Sequence, residues 1–180
     1  YGNLVMNLKF GLAPCQTAYT DMRYIVFDPE FMERLSDEEL KFVVEHEVLH
    51  CVLLHCIRGG SLNHRVYNIA CDIVVNSNIL HGMDVDNFQI DGENVMHLAP
   101  DGKEGYLYTA EQVYDMLYDQ RNSIDAIFGG LDSLDNHDVW DGIKNGPVLE
   151  DEWKKQLKNA GGYHLANIPP SAREMLLDLQ

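Results

Sequence analysis

Basic residues are scarce in this chain: 13 Lys and Arg stand against 29 Asp and Glu, leaving a formal net charge of −16. No basic cluster interrupts the acidic background, so phosphate backbones and anionic bilayers would be repelled, and neither nucleic acid nor a membrane is an expected partner. Cysteine is sparse as well. Cys15, Cys51, Cys56 and Cys71 form no CxxC pair, and three of them lie in apolar segments, where a free thiol behaves as a small hydrophobe. A reducing, cytoplasmic compartment is therefore expected. Also missing are an apolar run long enough to span a bilayer, a visible signal peptide, an internal repeat and a low-complexity tract. The chain opens at Tyr1 rather than Met and so reads as an excised fragment whose upstream targeting information is missing.

What remains is a globular composition, 46% hydrophobic and 23% charged over 180 residues, for which one well-buried domain is the default. "LVMNLKF" and "MRYIVF" are rich in β-formers and flank Gly11 and Pro14, which predicts two strands of a small N-terminal sheet. Ser36 and Glu39 then form a capping-box pattern, predicting a helix from about Asp37 that runs until Gly59 and Gly60 stop it. A second buried helix is expected over "VYNIACDIVVNSNIL", ending near Gly82, and a third over "TAEQVYDMLYDQ", opened by Thr109 with Gln112. Residues 82–108 read as acidic and turn-rich, "GGLDSLDNHDVWDGIKNGP" as loop, and "EDEWKKQLKNA" as a short polar helix.

The first long helix carries the chemistry. Its stretch "VVEHEVLHCVLLHC", residues 43–56, puts His46, Glu47 and His50 into an apolar run, and such groups are costly to bury unless something satisfies them. His46 and His50 are one helical turn apart and about 40° around the axis, so both imidazoles can address one tetrahedral ion. Glu47 lies on the neighbouring rim, where its carboxylate reaches a water activated by that ion and takes its proton. This is the division of labour in the HExxH pattern of zinc metallopeptidases. The uncharged flanks Val43, Val44, Val48, Leu49, Cys51 and Val52 suit a helix buried beneath a cleft.

A catalytic zinc site takes a third protein ligand, and five residues compete for that place. His55 follows His46 by nine residues and so lies on the opposite helix face, where it reads as a satisfied core or rim histidine rather than a ligand. Cys56 sits where metzincins have their third histidine, but Leu53 replaces the glycine those enzymes need. His64 matches the distant third histidine of SprT-like proteases, and His81 ends the second helix. Asp72 is the strongest: it lies mid-helix in an apolar segment, 22 residues after His50, close to the gluzincin spacing. The alternative account of its burial is a salt bridge to Arg58 or Arg65. Asn76, one turn further, is placed to orient a ligating histidine through its amide oxygen. His137, in "DNHDVWDG", is a candidate donor to the oxyanion of a tetrahedral intermediate, with a loop-capping histidine as the equal alternative. The acidic clusters "DVDNFQIDGEN" and "DSLDNHD" do not fit EF-hand spacing and read as solvated loops.

Taken together, "MRYIVFDPEF", "LSDEELKFVVEHEVLH", "YNIACDIVVN", "TAEQVYDML" and, more faintly, "NHDVW" resemble the metallopeptidase domain that precedes a von Willebrand factor A-like domain in bacterial and phage proteins. Arg58, Asn68, Ala70, Asp72 and Asn76 occupy that family's motif positions, with Tyr67 where Trp is frequent. The resemblance implies Asp72 as third zinc ligand and a zincin-like α+β fold, with a small N-terminal sheet on the HExxH helix and a second buried helix beside it. It also implies a domain over residues 1–165, with 166–180 leading into a von Willebrand A-like partner domain. The activity implied is zinc-dependent hydrolysis of a polypeptide substrate; the rival reading is a noncatalytic, zinc-stabilised interaction module.

Overall fold

Asp28 and Ser36 begin the helical part of the chain, each by lending a side-chain oxygen to backbone N–H groups that a first helical turn leaves open. In the computed structural model, which describes residues 8–119, 140, 142–143 and 146–160, the fold is α+β, with a small mixed sheet and a larger share of helix. Contacts divide the chain into two compact units, residues 1–58 with 135–180, and residues 59–134. The expected boundary at residue 165 lies outside the described residues.

The first unit holds strands β1 (Lys9–Leu12), β2 (Ala18–Thr20) and β3 (Tyr24–Phe27) and helices α1 (Pro29–Arg34), α2 (Asp37–Val52) and α3 (His55–Arg58). Its sheet has the order β1-β3-β2, with β1 parallel and β2 antiparallel to β3. Three strands form here where the sequence predicts two. β2 is too short to show alternation, and it is held by tertiary contacts. The hydroxyl of Thr20 meets Cys51 Sγ of α2 at 3.3 Å, and β2 is the strand that packs on α2. The β2–β3 turn is closed by Asp21, whose Oδ1 accepts from Arg23 N and Tyr24 N at 2.9 and 2.8 Å. Two buried tryptophans from the later part of the chain tie down the same turn: Trp140 Nε1 donates to Thr20 O and Trp153 Nε1 to Met22 O, each at 3.0 Å. A buried indole needs an acceptor for its N–H, and the hairpin carbonyls supply it.

α1 was not foreseen, although Asp28 at its N-cap and Pro29 at its first position are the ordinary start signals. Asp28 accepts four backbone N–H groups, from Cys15, Gln16, Glu30 and Phe31. Desolvation acts to raise its pKa, but these four donors outweigh it and hold the carboxyl below its ordinary value. The capping box of α2 is formed as expected: Glu39 N donates to Ser36 Oγ at 3.3 Å and Ser36 N to Glu39 Oε2 at 2.8 Å. Its end is not where the sequence puts it. α2 stops at Val52, Leu54 takes a left-handed φ of 57°, and the chain restarts as α3, so the break precedes Gly59 and Gly60. The last helix of this unit, α6 (Gly146–Ala160), also begins earlier than predicted; Pro147 is tolerated in its first turn, and Leu149 and Trp153 form a buried stripe.

The second unit is built on α4 (His64–Met83), buried without a break from Ile69 to Leu80. A helix buried on all sides must satisfy its polar residues internally. Asn76 Nδ2 donates to Met96 O at 2.9 Å, Ser77 Oγ to Glu104 Oε2 at 2.7 Å, and Asn78 Nδ2 to Val74 O at 2.7 Å. α4 ends one residue past the expected Gly82, with Asp84 as the left-handed cap at φ 56°. A two-residue turn at Asp91 and Gly92, both at positive φ, joins β4 (Gln89–Ile90) to β5 (Glu93–Asn94). α5 (Ala110–Asp119) carries the predicted Thr109–Gln112 cap and packs Ala110, Val113, Tyr114 and Leu117 inward, against α4. The turn Gly105–Leu107 also packs on α4, so closely that a Cβ on Gly105 would lie 2.6 Å from Ile73 O. Among the described residues no helix is long and apolar enough to cross a membrane.

Two stability measurements test this account. Gly105→Ala should destabilise the chain by about 1–3 kcal/mol in urea unfolding, because the added methyl meets a backbone carbonyl rather than a side chain that can turn away. Asp28→Ala should lower the urea unfolding midpoint at pH 7, because the backbone N–H groups that its carboxylate accepts lose their partner. Because the Asp28 pKa is lowered on folding, its contribution is complete above the unfolded carboxylate pKa and disappears as pH falls through the folded value. The difference between wild type and variant should therefore shrink in acid below about pH 4.

Candidate metal centre

α2 turns its histidines inward because its other face already has an apolar role: Leu40 and Val44 line an apolar groove with Phe10, Leu12, Phe27 and Met32. His46 and His50 are 1% and 0% exposed, and Glu47 between them is 0% exposed. The two imidazoles meet edge to face with centroids 4.5 Å apart, and their Nε2 atoms are 2.8 Å apart. The one-turn spacing thus does what the sequence predicts: it aims two ring nitrogens at a single point.

Around His50 the structure adds two neighbours that the sequence reading missed. Trp140 packs edge to face on the His50 ring, centroids 5.1 Å apart. His55, 1% exposed, brings its Nδ1 to 3.1 Å from His50 Nδ1. On an uninterrupted helix His55 would lie about 140° around the axis from His50. The break at Leu54 turns it back, so the expectation that His55 points away from the pair is overturned. Trp140 is one of only two tryptophans in the chain, a weak hint at most; nothing in the sequence marks Leu54 as a left-handed residue.

Asp72 is 0% exposed in the middle of α4, with Asn76 one turn later at 1%. The Asn76 amide is held by its Nδ2 on the Met96 carbonyl, which turns its oxygen toward the other side as an acceptor. His46, His50 and Asp72 form a buried group in which one ligand atom from each lies within 4.8 Å of the others. Donor atoms on a tetrahedral ion at about 2.0–2.1 Å lie roughly 3.3 Å apart, so a group with this spacing could hold one. Two imidazoles and a carboxylate are donors that borderline ions such as zinc accept. The other candidates are not in the group: Cys56 is buried, His64 is the half-buried first residue of α4, and His81 is exposed and stacked on Tyr106 with centroids 4.3 Å apart. His137 lies outside the described residues.

An HExxH helix with two inward histidines, in an α+β chain with a buried His-His-Asp group, defines a metallopeptidase-type domain. Comparison with protein families agrees: residues 2–161 match the family described as "Putative metallopeptidase domain", and the chain belongs to it. No curated protein and no solved structure matches the chain.

Proposed function

We propose that the chain is a zinc-dependent peptidase in which His46, His50 and Asp72 hold the ion and Glu47 is the general base. The observation that carries this reading is the close, buried pairing of the two Nε2 atoms of α2 on either side of Glu47 in sequence. When bound, zinc with two neutral imidazoles and one carboxylate keeps a net charge of about +1 and lowers the pKa of a water toward neutrality. The Glu47 carboxylate would take a proton from the attacking water as the water oxygen adds to the peptide carbonyl carbon. It then returns the proton to the departing amine nitrogen as the C–N bond breaks. Asn76, its amide fixed by Met96, accepts from a ligating imidazole and holds its orientation. His137 is the proposed donor to the oxyanion. The substrate class is a polypeptide, and the partner is a C-terminal von Willebrand A-like domain. Four cysteines with no CxxC pair among them support a reducing, cytoplasmic setting.

One observation favours a second reading. Glu47, His46, His50 and Asp72 are all at most 1% exposed, which suits a noncatalytic, metal-stabilised interaction module as well as an enzyme. Glu47 separates the two, since a structural site has no use for a base. Glu47→Gln should retain zinc and lose all cleavage of an unfolded polypeptide substrate; a variant that cleaves at the wild-type rate rules the peptidase reading out. The ligand set has its own measurement, competition with a chromophoric chelator. Asp72→Ala should weaken zinc binding at least about 10-fold and His64→Ala should leave it near wild type, with Asn76→Ala between them. Loss of zinc from His64→Ala instead would replace Asp72 by His64 in the site.

A further inference from the structure

His55 is buried, polar and outside the ligand set, and its position is maintained at a conformational cost. Leu54, immediately before it, has φ 57°, a left-handed conformation that crowds the Cβ of any residue but glycine against its own backbone. Leu54 is itself 3% exposed, so the strained residue is packed in the core. The break is closed by hydrogen bonds: Leu54 N donates to Cys51 O at 3.1 Å, Ile57 N to Leu54 O at 3.1 Å, and Arg58 Nη1 to Leu53 O at 2.9 Å. Its result is the 3.1 Å approach of His55 Nδ1 to His50 Nδ1, the nitrogen of His50 that faces away from His46.

Proton counting then fixes the roles of the four nitrogens. A ring nitrogen that ligates an ion offers its lone pair and carries no hydrogen, so a neutral His50 that ligates through Nε2 has its proton on Nδ1. That Nδ1–H points at His55 Nδ1, which must accept, leaving the His55 proton on Nε2. We propose that His55 is a positioning residue for the metal centre: it accepts the His50 Nδ1 proton, locks His50 in the tautomer that presents Nε2, and fixes the angle of its ring. The inference rests on the metal reading of His46 and His50. Ligating histidines ordinarily donate this N–H to a carboxylate, a backbone carbonyl or water; here the acceptor is a second neutral imidazole, delivered by a strained turn. Trp140, edge-on to the same ring, limits its rotation from another direction.

The test uses the whole chain with zinc or cobalt(II) as the probe. Long-range nitrogen–proton NMR of the zinc-loaded protein should show His50 protonated on Nδ1 only and His55 on Nε2 only. His55→Phe, which keeps a ring but has no acceptor, should bind zinc about 10- to 100-fold more weakly and alter the cobalt(II) absorption spectrum. His55→Gln restores an acceptor oxygen and should recover most of the affinity. A folded His55→Phe with wild-type zinc affinity and an unchanged cobalt spectrum overturns the inference and leaves the metal reading standing. Failure of the wild-type chain to bind either ion brings down both. Should His55→Phe not fold, the wild-type NMR decides alone, because a proton on His55 Nδ1 is incompatible with the assigned role.

Discussion

Two imidazole nitrogens held 2.8 Å apart inside a helix that solvent does not reach are the constraint around which this chain is organised. An unsatisfied polar group in a dry interior costs several kcal/mol, about as much as the net stability of many domains leaves to spare. Nitrogens in such a place need partners, and the geometry around them is close. The Nε2 atoms face each other, the outer nitrogen of His50 meets His55, and Trp140 covers the ring edge. The strain at Leu54 belongs to the same requirement: a helix that simply continued would carry His55 away from His50 and leave that Nδ1 to be satisfied otherwise.

The surroundings of α2 serve the same end through ordinary means. The sheet packs on the helix through β2, whose turn is held by Asp21 and by the indoles of Trp140 and Trp153. The two tryptophans thus connect residues far apart in sequence to one hairpin, and one of them also touches His50. In the other unit, α4 is buried through its whole middle, and Asn76, Ser77 and Asn78 each hand their hydrogen to a specific acceptor. Satisfied buried networks of this kind rigidify the elements that carry them, which is what a group of converging donors requires.

Motif and fold support each other without being equivalent. Membership of the metallopeptidase-domain family follows from the sequence match over residues 2–161. The reaction depends on what the site residues do once an ion is present, and Glu47 is the residue on which the catalytic and the structural readings part, because only the first has a use for a base. The −16 net charge bears on partners rather than on chemistry: it disfavours polyanions and says little about which polypeptide would be bound.

The sequence by itself determined the features that are local. Ser36 with Glu39 and Thr109 with Gln112 announce helix starts, since a cap is a contact between residues three apart. The four-residue step from His46 to His50 fixes which helix face carries the imidazoles, and an aspartate in the apolar run of α4 signals a buried carboxylate. Tertiary structure decided what depends on distant parts of the chain. β2 exists because α2 and two tryptophans hold it, Gly105 is required by a carbonyl 32 residues earlier, and α2 ends at Val52 although glycines stand only further on. His55 is the clearest case. Helical periodicity, which assumes an unbroken helix, puts it on the wrong side; one left-handed leucine, a conformation no residue pattern specifies and only surrounding packing maintains, brings it back to His50.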